Sequence, residues 1–317
     1  MNLKSISIMS KNFNKFKSRF IPSILFLIVF IIFFQIEKFQ NFLIVNLAAQ
    51  LSVFLIAACV PAFLTKRMSY VDIAWPFGLI SIGIIALFFG EGYMPRKIII
   101  SSLYLLAGLR MGLGALVLLK KGYLDKELPR YQFQRIRWKK KGFTNNRISI
   151  QFEILLQCFA NITFLAIPAI LISNNSHENF SIFEIIGFVL WIVFFALEHI
   201  ADIQKQAFLI NAKKNKLKNQ VCDVGLWSYT RHPNYFSEWM IWNSLIVASF
   251  FSLTFYQNEI IIFIGFLGSL LYMSFFMYQT LVFLTGAVPS EHYSLIKRPG
   301  YKKYQENTNM FFPKLFK

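Results

Sequence analysis

The chain of 317 residues is 56% hydrophobic and 18% aromatic, and 33 Lys and Arg against 15 Asp and Glu give it a formal net charge of +18 at pH 7. Apolar content this high excludes a disordered chain, and three scattered cysteines exclude a disulfide scaffold and disfavour a metal site. Because a soluble fold could not cover so much apolar surface, the sequence predicts an integral membrane protein rather than a nucleic-acid-binding one.

Apolar runs long enough to cross a bilayer recur along the chain, since such a helix needs about 20 mostly apolar residues. Eight runs are found, at residues 20–36, 42–64, 73–90, 98–119, 150–172, 182–201, 239–256 and 259–284. The third and seventh are short. The first follows a basic segment without a small-x-small cleavage site after it, so we expect an uncleaved helix. The predicted fold is an all-α polytopic membrane bundle of seven or eight helices.

Lysine and arginine collect in alternate connecting segments. With the N-terminus in the cytoplasm, 29 of the 33 basic residues fall on the cytoplasmic side. The sequence therefore predicts an even number of crossings with both termini cytoplasmic. Its Lys-, Asn- and Ile-rich composition favours a bacterial inner membrane, and it gives no indication of oligomeric state.

The first polar cluster lies at the start of the third run. Asp72 and Trp75 are three residues apart and share a helical face near Tyr70. Two interpretations stay open: a functional site, or an N-cap by Ser69 or Asp72 with Trp75 anchored at the membrane interface. Arg110 lies so deep in the fourth run that we expect an internal carboxylate as its partner.

Charged residues recur in the next two cytoplasmic segments. Ten basic residues in 120–149 fit both membrane topology and a pocket for an anionic ligand. Glu198 and Asp202 are four residues apart at a helix end, so both carboxylates lie on one face and repel each other unless a ligand or cations bridge them.

The richest stretch is residues 225–238, which combine Arg, His, Asn, Glu, two Tyr and one Trp beside a membrane entry. Pro233 suits the first turn of a helix, and the free amides there, with Arg231, can form a phosphate site. An interfacial aromatic belt is the alternative interpretation. The basic, tyrosine-rich tail after residue 285 fits either pocket closure or contact with anionic lipid.

These segments resemble the bacterial branch of the steroid 5-alpha-reductase-like family. The superfamily also contains sterol reductases and isoprenylcysteine carboxyl methyltransferases. The matching segments are Arg-His-Pro-Asn-Tyr-Phe-x-Glu at 231–238, Tyr70–Trp75, Leu109-Arg110, Arg130-Tyr131, Glu198–Asp202, Tyr301-x-x-Tyr304 and Phe312-Pro313. The resemblance covers residues 69–317 and implies one membrane domain there, with cytoplasmic loops and tail, after a two-helix membrane segment at 1–68.

The resemblance implies a helix bundle that encloses a nucleotide cofactor, with a lipid-like substrate entering among the helices. That cofactor is NADPH in the reductases and S-adenosylmethionine in the methyltransferases. The implied cofactor-binding residues are Glu198, Asp202, Arg231, His232, Asn234, Tyr235, Glu238, Tyr301 and Tyr304.

The chain departs from the family where steroid enzymes polarise the enone, because their Gln-Glu and Tyr have no clear counterpart here. Asp72, Trp75 and Arg110 stand in the comparable region. We take Asp72, Tyr70 and Arg110 as candidate catalytic residues. Trp75 is the candidate substrate contact.

Three functions follow from this reading. The sequence favours an NADPH-dependent reductase of a carbon-carbon double bond in a steroid- or isoprenoid-like lipid, because Arg130, Arg135 and Arg231 can neutralise the phosphates of NADPH. An S-adenosylmethionine-dependent methyltransferase and a non-catalytic lipid-binding protein are the alternatives. Membrane lipids are the expected surroundings.

Overall fold

The protein is described by a computed structural model at residue 21 and residues 23–314. Over these residues the chain forms α-helices joined by short 3-10 and π-helical turns, and no strand occurs among them. The predicted all-α fold is therefore confirmed.

The α-helices vary widely in length. In chain order they are α1 (Ser23–Phe34), α2 (Glu37–Phe54), α3 (Val60–Thr65), α4 (Val71–Phe89), α5 (Met94–Lys120), α6 (Pro129–Lys140), α7 (Asn146–Ile162), α8 (Ile167–Ser173), α9 (Ile182–Lys214), α10 (Pro233–Thr254), α11 (Ile260–Gln279), α12 (Ala287–Lys297) and α13 (Tyr301–Asn307).

Six continuous helical stretches in the described part of the chain are long and apolar enough to cross a membrane. They are Glu37–Thr65, Met68–Phe89, Met94–Lys120, Asn146–Ser173, Ile182–Lys214 and Ile260–Lys297. The third predicted run, which looked short, gains a 3-10 turn at its start and reaches 22 residues.

The remaining two predicted runs differ from these six. The first run corresponds to α1, whose described part is shorter than a bilayer requires, and residues 20 and 22 lie outside the described part of the chain. The seventh run corresponds to α10, which has 22 residues but opens with polar turns around Asn234 and Glu238. The placement of the termini in the cytoplasm stays a prediction.

The helices form two compact units. The first contains the described residues up to Asn179 together with Ser252–Leu270, and the second contains Phe180–Phe251 and the described residues from Leu271 onward.

Helices α4 and α5 pack closely in the first unit because small residues line their contact. A Cβ on Gly108 would lie 2.7 Å from the Pro76 carbonyl oxygen, and one on Gly83 would lie 2.9 Å from the Ser101 carbonyl oxygen. Small residues let helix backbones approach where lipid removes the hydrophobic drive to associate. Gly114, by contrast, faces open space.

A network of buried amides joins α2, α4 and α7. Gln50 Nε2 donates to Asn46 Oδ1 at 3.0 Å and to the Gly78 carbonyl at 2.8 Å. Asn161 Nδ2 donates to Gln50 Oε1 at 3.3 Å and to the Trp75 carbonyl at 3.2 Å. An unpaired amide is costly in an apolar interior, so this network fixes how the three helices pack.

The second unit is organised by α9. Ser181 and Glu184 form a capping box at its start, with Ser181 Oγ accepting from the Glu184 amide at 3.2 Å. Gly187 allows α10 to pack against it, because a Cβ there would lie 2.5 Å from the Ala248 amide nitrogen. The helix has 33 residues in all, from Ile182 to Lys214.

We expect Gly78→Ala to lower the free energy of unfolding by about 1–3 kcal/mol, because the added Cβ would meet the amide network. A Cβ at Gly78 would lie 2.2 Å from Asn161 Nδ2 and 2.5 Å from Gln50 Oε1. Thermal unfolding in detergent measures the effect. Gly114→Ala is the matched control and should stabilise the helix slightly, so an equal loss in both variants would contradict the packing argument.

Candidate functional site

The predicted catalytic Asp72 lies in the first turn of α4, where two residues of α6 contact it. Arg130 Nη2 and Tyr131 Oη both donate to its carboxylate oxygens. Tyr131 is almost fully buried, and this burial, reinforced by the negative charge of Asp72, raises the pKa of the Tyr131 hydroxyl well above its ordinary value. Asp72 therefore has two fixed donors, one cationic and one that keeps its proton.

A second carboxylate, that of Glu127 just before α6, holds the start of α4. Glu127 Oε1 accepts from the Ser69 amide at 3.1 Å and from Ser69 Oγ at 2.7 Å, and Glu127 Oε2 accepts from the Met68 amide at 3.0 Å. Arg135 Nη2 lies 2.6 Å from the same oxygen. Glu127, rather than Ser69 or Asp72, is thus the acceptor for these free amides.

The other predicted residues of this region are half-buried. Tyr70 lies in the 3-10 turn before α4, with the Arg67 guanidinium 5.8 Å from its ring centroid. Trp75 follows one turn later, and its carbonyl accepts from Asn161. Arg110 lies on α5. The expected pairing of Arg110 with an internal carboxylate stays a prediction.

In the second unit, Arg231 is buried and its guanidinium contacts protein groups on three sides. Its Nε lies 2.7 Å from Glu291 Oε1 and its Nη2 lies 3.1 Å from Glu291 Oε2. Nη1 donates to the Gln305 carbonyl at 3.0 Å and to the Thr308 carbonyl. These contacts tie the start of α10 to α12 and α13, and the predicted contact of Arg231 with a cofactor phosphate stays a prediction.

His232 lies beside this pair and is also buried. Its Nε2 lies 3.1 Å from Glu291 Oε1, and its ring stacks on Tyr235 with centroids 5.2 Å apart. Burial lowers the pKa of His232 from its ordinary value, against the opposing effect of Glu291 and with the help of the Arg231 charge. His232 is therefore neutral near pH 7.

The C-terminal segment pairs with the sequence just before α10. The Arg231 amide donates to the Asn309 carbonyl at 2.9 Å, and Thr230 Oγ1 donates to the Phe311 carbonyl at 2.9 Å. Tyr304 Oη donates to the Trp227 carbonyl. Burial raises the pKa of Tyr304, as it does that of its neighbour Tyr301, so both hydroxyls keep their protons. The C-terminal segment thus packs against residues 227–231 and holds them in place.

An aromatic cluster surrounds the end of the tail. Phe311 lies between Phe236, Trp239 and Tyr278, with ring centroids 5.8, 5.8 and 5.2 Å away. Phe312 contacts the same three rings. Edge-to-face packing of this kind stabilises beyond the burial of the rings, so the cluster fixes the tail on α10.

The predicted acidic residues lie beside the first turn of α10. Asn234 Nδ2 donates to Asp202 Oδ1 at 3.1 Å, which joins α10 to α9. Asn234 Oδ1 is buried and has no hydrogen-bond partner among the described residues. Glu198 is buried one turn before Asp202, and Glu238 is half-buried one turn after Asn234. The group presents oxygen acceptors, so it suits a ligand rich in N–H and O–H donors.

An apolar cavity of about 240 Å³ opens next to this motif, within the second unit. Its lining residues are Leu197, Leu226, Tyr229, Thr230, Pro233, Phe236, Ser237 and Pro313. The cavity is lined mainly by carbon and offers a hydrophobic ligand few polar contacts.

Three partners of the predicted residues were not among the predicted site residues: Glu127, Tyr131 and Glu291. Glu291 lies in the tail, 60 residues from Arg231. Its only signal was that a deeply buried arginine requires a carboxylate. The buried amides Asn46, Gln50 and Asn161 carried a clearer signal, because polar residues inside apolar runs are rare and pair with one another.

Helices of this number, length and composition define a multi-pass membrane protein. The particular family follows from sequence: the chain belongs to the family described as "Protein of unknown function (DUF1295)", whose model matches residues 54–308. An uncharacterized protein of Schizosaccharomyces pombe is 26% identical over 276 residues, which cover 79% of this chain and 74% of the relative. No solved structure matches.

We expect Glu291→Ala to lower the free energy of unfolding by about 3–5 kcal/mol, because it leaves the buried Arg231 charge without its carboxylate. Limited proteolysis should then cut the tail after residue 297, and the melting temperature should fall. Glu306→Ala removes an exposed carboxylate of α13 and serves as control. A tail equally resistant in both variants would show that the pair does not hold it.

Stability should also fall as pH decreases below about 6.5, the ordinary pKa of histidine. Because the folded protein lowers the pKa of His232, the unfolded chain binds the proton more readily, and stability present above pH 6.5 is lost as pH falls through the folded pKa. His232→Gln cannot take up this proton, so the melting temperature of this variant should depend less on pH. His199→Gln, at an exposed position, should keep the wild-type slope.

Proposed function

We propose that this protein is an integral membrane oxidoreductase that reduces a carbon-carbon double bond in a steroid- or isoprenoid-like lipid with NADPH. The proposal starts from the resemblance of residues 69–317 to the steroid 5-alpha-reductase-like family. It places the enzyme in a bacterial inner membrane with both termini cytoplasmic, as the distribution of basic residues favours.

The observation that carries the proposal is the acceptor group around Asn234. A buried amide oxygen without a partner loses free energy that a ligand donor can restore. The nucleoside and carboxamide parts of NADPH carry such donors in their amino and hydroxyl groups. Asp202 lies 3.1 Å from Asn234 Nδ2 and adds an exposed carboxylate beside it. These residues therefore fit the donor-bearing part of the cofactor.

In this proposal the cofactor is held by Glu198, Asp202, Arg231, His232, Asn234, Tyr235, Glu238, Tyr301 and Tyr304. Arg231 acts from behind the pocket, because its contacts with Glu291 and the tail fix the start of α10. His232 is neutral and supports Tyr235 by ring stacking. The adjacent apolar cavity offers carbon-lined space next to this motif.

NADPH, when bound, supplies the hydride to the β carbon of an activated alkene. The chain must then supply a proton donor or a positive group for the enolate that develops. The candidates are Asp72, Tyr70 and Arg110, with Trp75 as the substrate contact. Arg130 and Tyr131 fix the Asp72 carboxylate, so Asp72 would orient and polarise through these two donors.

S-adenosylmethionine shares the adenosine part of NADPH and is the alternative cofactor. It carries one carboxylate and no phosphate, so it needs far less positive charge than NADPH does. For this reason we favour NADPH over a methyltransferase cofactor. A lipid-binding protein without chemistry would bind neither.

We expect Asn234→Leu to weaken NADPH binding about tenfold, because the variant lacks both the acceptor and the contact with Asp202. Titration of detergent-purified protein with NADPH, NADH and S-adenosylmethionine, followed by quenching of its six tryptophans, measures the affinities. Asn258→Leu changes an exposed asparagine outside the second unit and is the control.

The same titration separates the three functions. Saturable NADPH binding that Asn234→Leu weakens and Asn258→Leu does not supports the reductase. If S-adenosylmethionine alone binds, the protein is a methyltransferase. If NADPH, NADH and S-adenosylmethionine all fail to bind, the lipid-binding function is the one supported. Consumption of NADPH with a lipid enone as substrate then tests the reaction itself.

A further inference from the structure

The second unit contains two adjoining cavities, of about 680 and 940 Å³, near the C-terminal end of α9. Phe208, Lys218, Asn219 and Gln220 line both of them, and we call the joint lining the basic basin. The cations of the basic basin are Lys213, Lys216, Lys218, Lys297, Arg298, Lys303 and Lys314, and its lining includes one carboxylate, Asp223.

The positive charge of the basic basin is not neutralised within the described part of the chain. There, no ion pair joins any of its six lysines to a carboxylate. The Arg298 side chain is held in place by a hydrogen bond, in which its Nη1 donates to Ser294 Oγ at 2.7 Å. Cations gathered around one concave surface repel each other, so an anion that enters the basic basin gains from all of them.

One lysine of the basic basin occupies a backbone position that favours glycine. After α9 the Leu217 amide donates to the Ala212 carbonyl at 2.8 Å and the Lys216 amide donates to the Lys213 carbonyl at 3.1 Å. These two bonds form a Schellman motif, whose left-handed position is usually glycine. Here that position is Lys216, with φ 55°. Glycine fits this position at least as well, so the backbone conformation does not account for the lysine.

Membrane topology and the helix dipole explain part of this charge. Both favour cations at the cytoplasmic C-terminal end of α9, where Lys213 lies. Neither explains why the connection between α12 and α13 contributes further cations to the same concave surface. Chain segments about 80 residues apart, at Lys216 and Lys297, line one cavity. Convergence of this kind is typical of a binding site.

We propose that the basic basin binds a phosphate-bearing anion, either the headgroup of an anionic lipid or a free phosphate compound. Lysine ammonium groups bind phosphate as point charges, and Arg298 adds a planar donor. Phe208, Leu209 and Leu217 place apolar surface beside these cations, which suits the glycerol and first methylene groups of a lipid. The basic basin involves none of the residues assigned to the cofactor except Tyr304, so its function does not depend on NADPH binding.

The test uses the full chain in two settings. In the first, the protein is reconstituted in phosphatidylcholine nanodiscs with and without phosphatidylglycerol, and its melting temperature is measured. In the second, detergent-purified protein is titrated with inorganic pyrophosphate. A bound anion stabilises the folded protein in either setting, and added salt should reduce the effect.

Two variants and one control separate binding from folding. Replacing Lys213, Lys216 and Lys218 together by Gln should weaken anion binding about a hundredfold. Lys216→Gly removes one cation but supplies the residue that the left-handed position favours, so it should weaken binding about fivefold while the ligand-free protein melts no lower. The triple Gln substitution of Lys139, Lys140 and Lys141, which are exposed lysines of the first unit, should leave binding unchanged.

The outcomes identify the ligand. Stabilisation by phosphatidylglycerol without an effect of pyrophosphate identifies a lipid headgroup, and stabilisation by pyrophosphate identifies a free phosphate compound. The proposal is overturned if neither stabilises the wild-type protein, or if the control triple variant loses the effect as fully as the basin variants do. If the basic basin binds no anion, the result of the NADPH titration does not change, because NADPH binding is proposed to depend on Asn234.

Discussion

The buried ion pair between Arg231 and Glu291 is the contact on which the second unit depends. Placing two charges in an interior is costly, and the cost is offset only when hydrogen bonds satisfy the remaining donors and acceptors. Here they do: Arg231 also donates to the Gln305 and Thr308 carbonyls, and Glu291 also accepts from Gln305 Nε2 at 2.5 Å and lies 3.1 Å from His232 Nε2. The pair sets where α10 starts, where the tail lies and hence where Asn234 is presented.

The first unit also pairs an arginine with a carboxylate, but Arg130 and Asp72 are less buried than Arg231 and Glu291. Asp72 has a cationic and a neutral donor in Arg130 and Tyr131, as Glu291 has in Arg231 and Gln305. In both units an arginine expected to contact a ligand contacts a carboxylate of the chain. Within residues 23–314, lysines that form no ion pair with a carboxylate line the basic basin instead.

Sequence reasoning predicted the helices well because its signal was local. A run such as 98–119 has enough apolar residues to identify α5, and the Pro233 signal correctly placed the start of α10. The residues that contact the predicted site residues could not be predicted from local sequence in this way. Nothing local distinguishes Glu291 or Glu127 from a solvated glutamate, because the buried arginine or free amides that each one satisfies lie about 60 residues away. The buried amide network is an intermediate case, since Asn46, Gln50 and Asn161 are all visible as polar residues in apolar runs, while the pairing between the two runs is not.

The order in which the chain is synthesised gives the ion pair a further consequence. Glu291 follows Arg231 by 60 residues, which at about 5–20 residues per second corresponds to roughly 3–12 seconds of translation. During this interval the guanidinium has no carboxylate, and Phe236 and Trp239 lack the aromatic tail that covers them. Until α12 and α13 have been synthesised, the start of α10 therefore lacks the ion pair and the aromatic cover that it has in the folded protein.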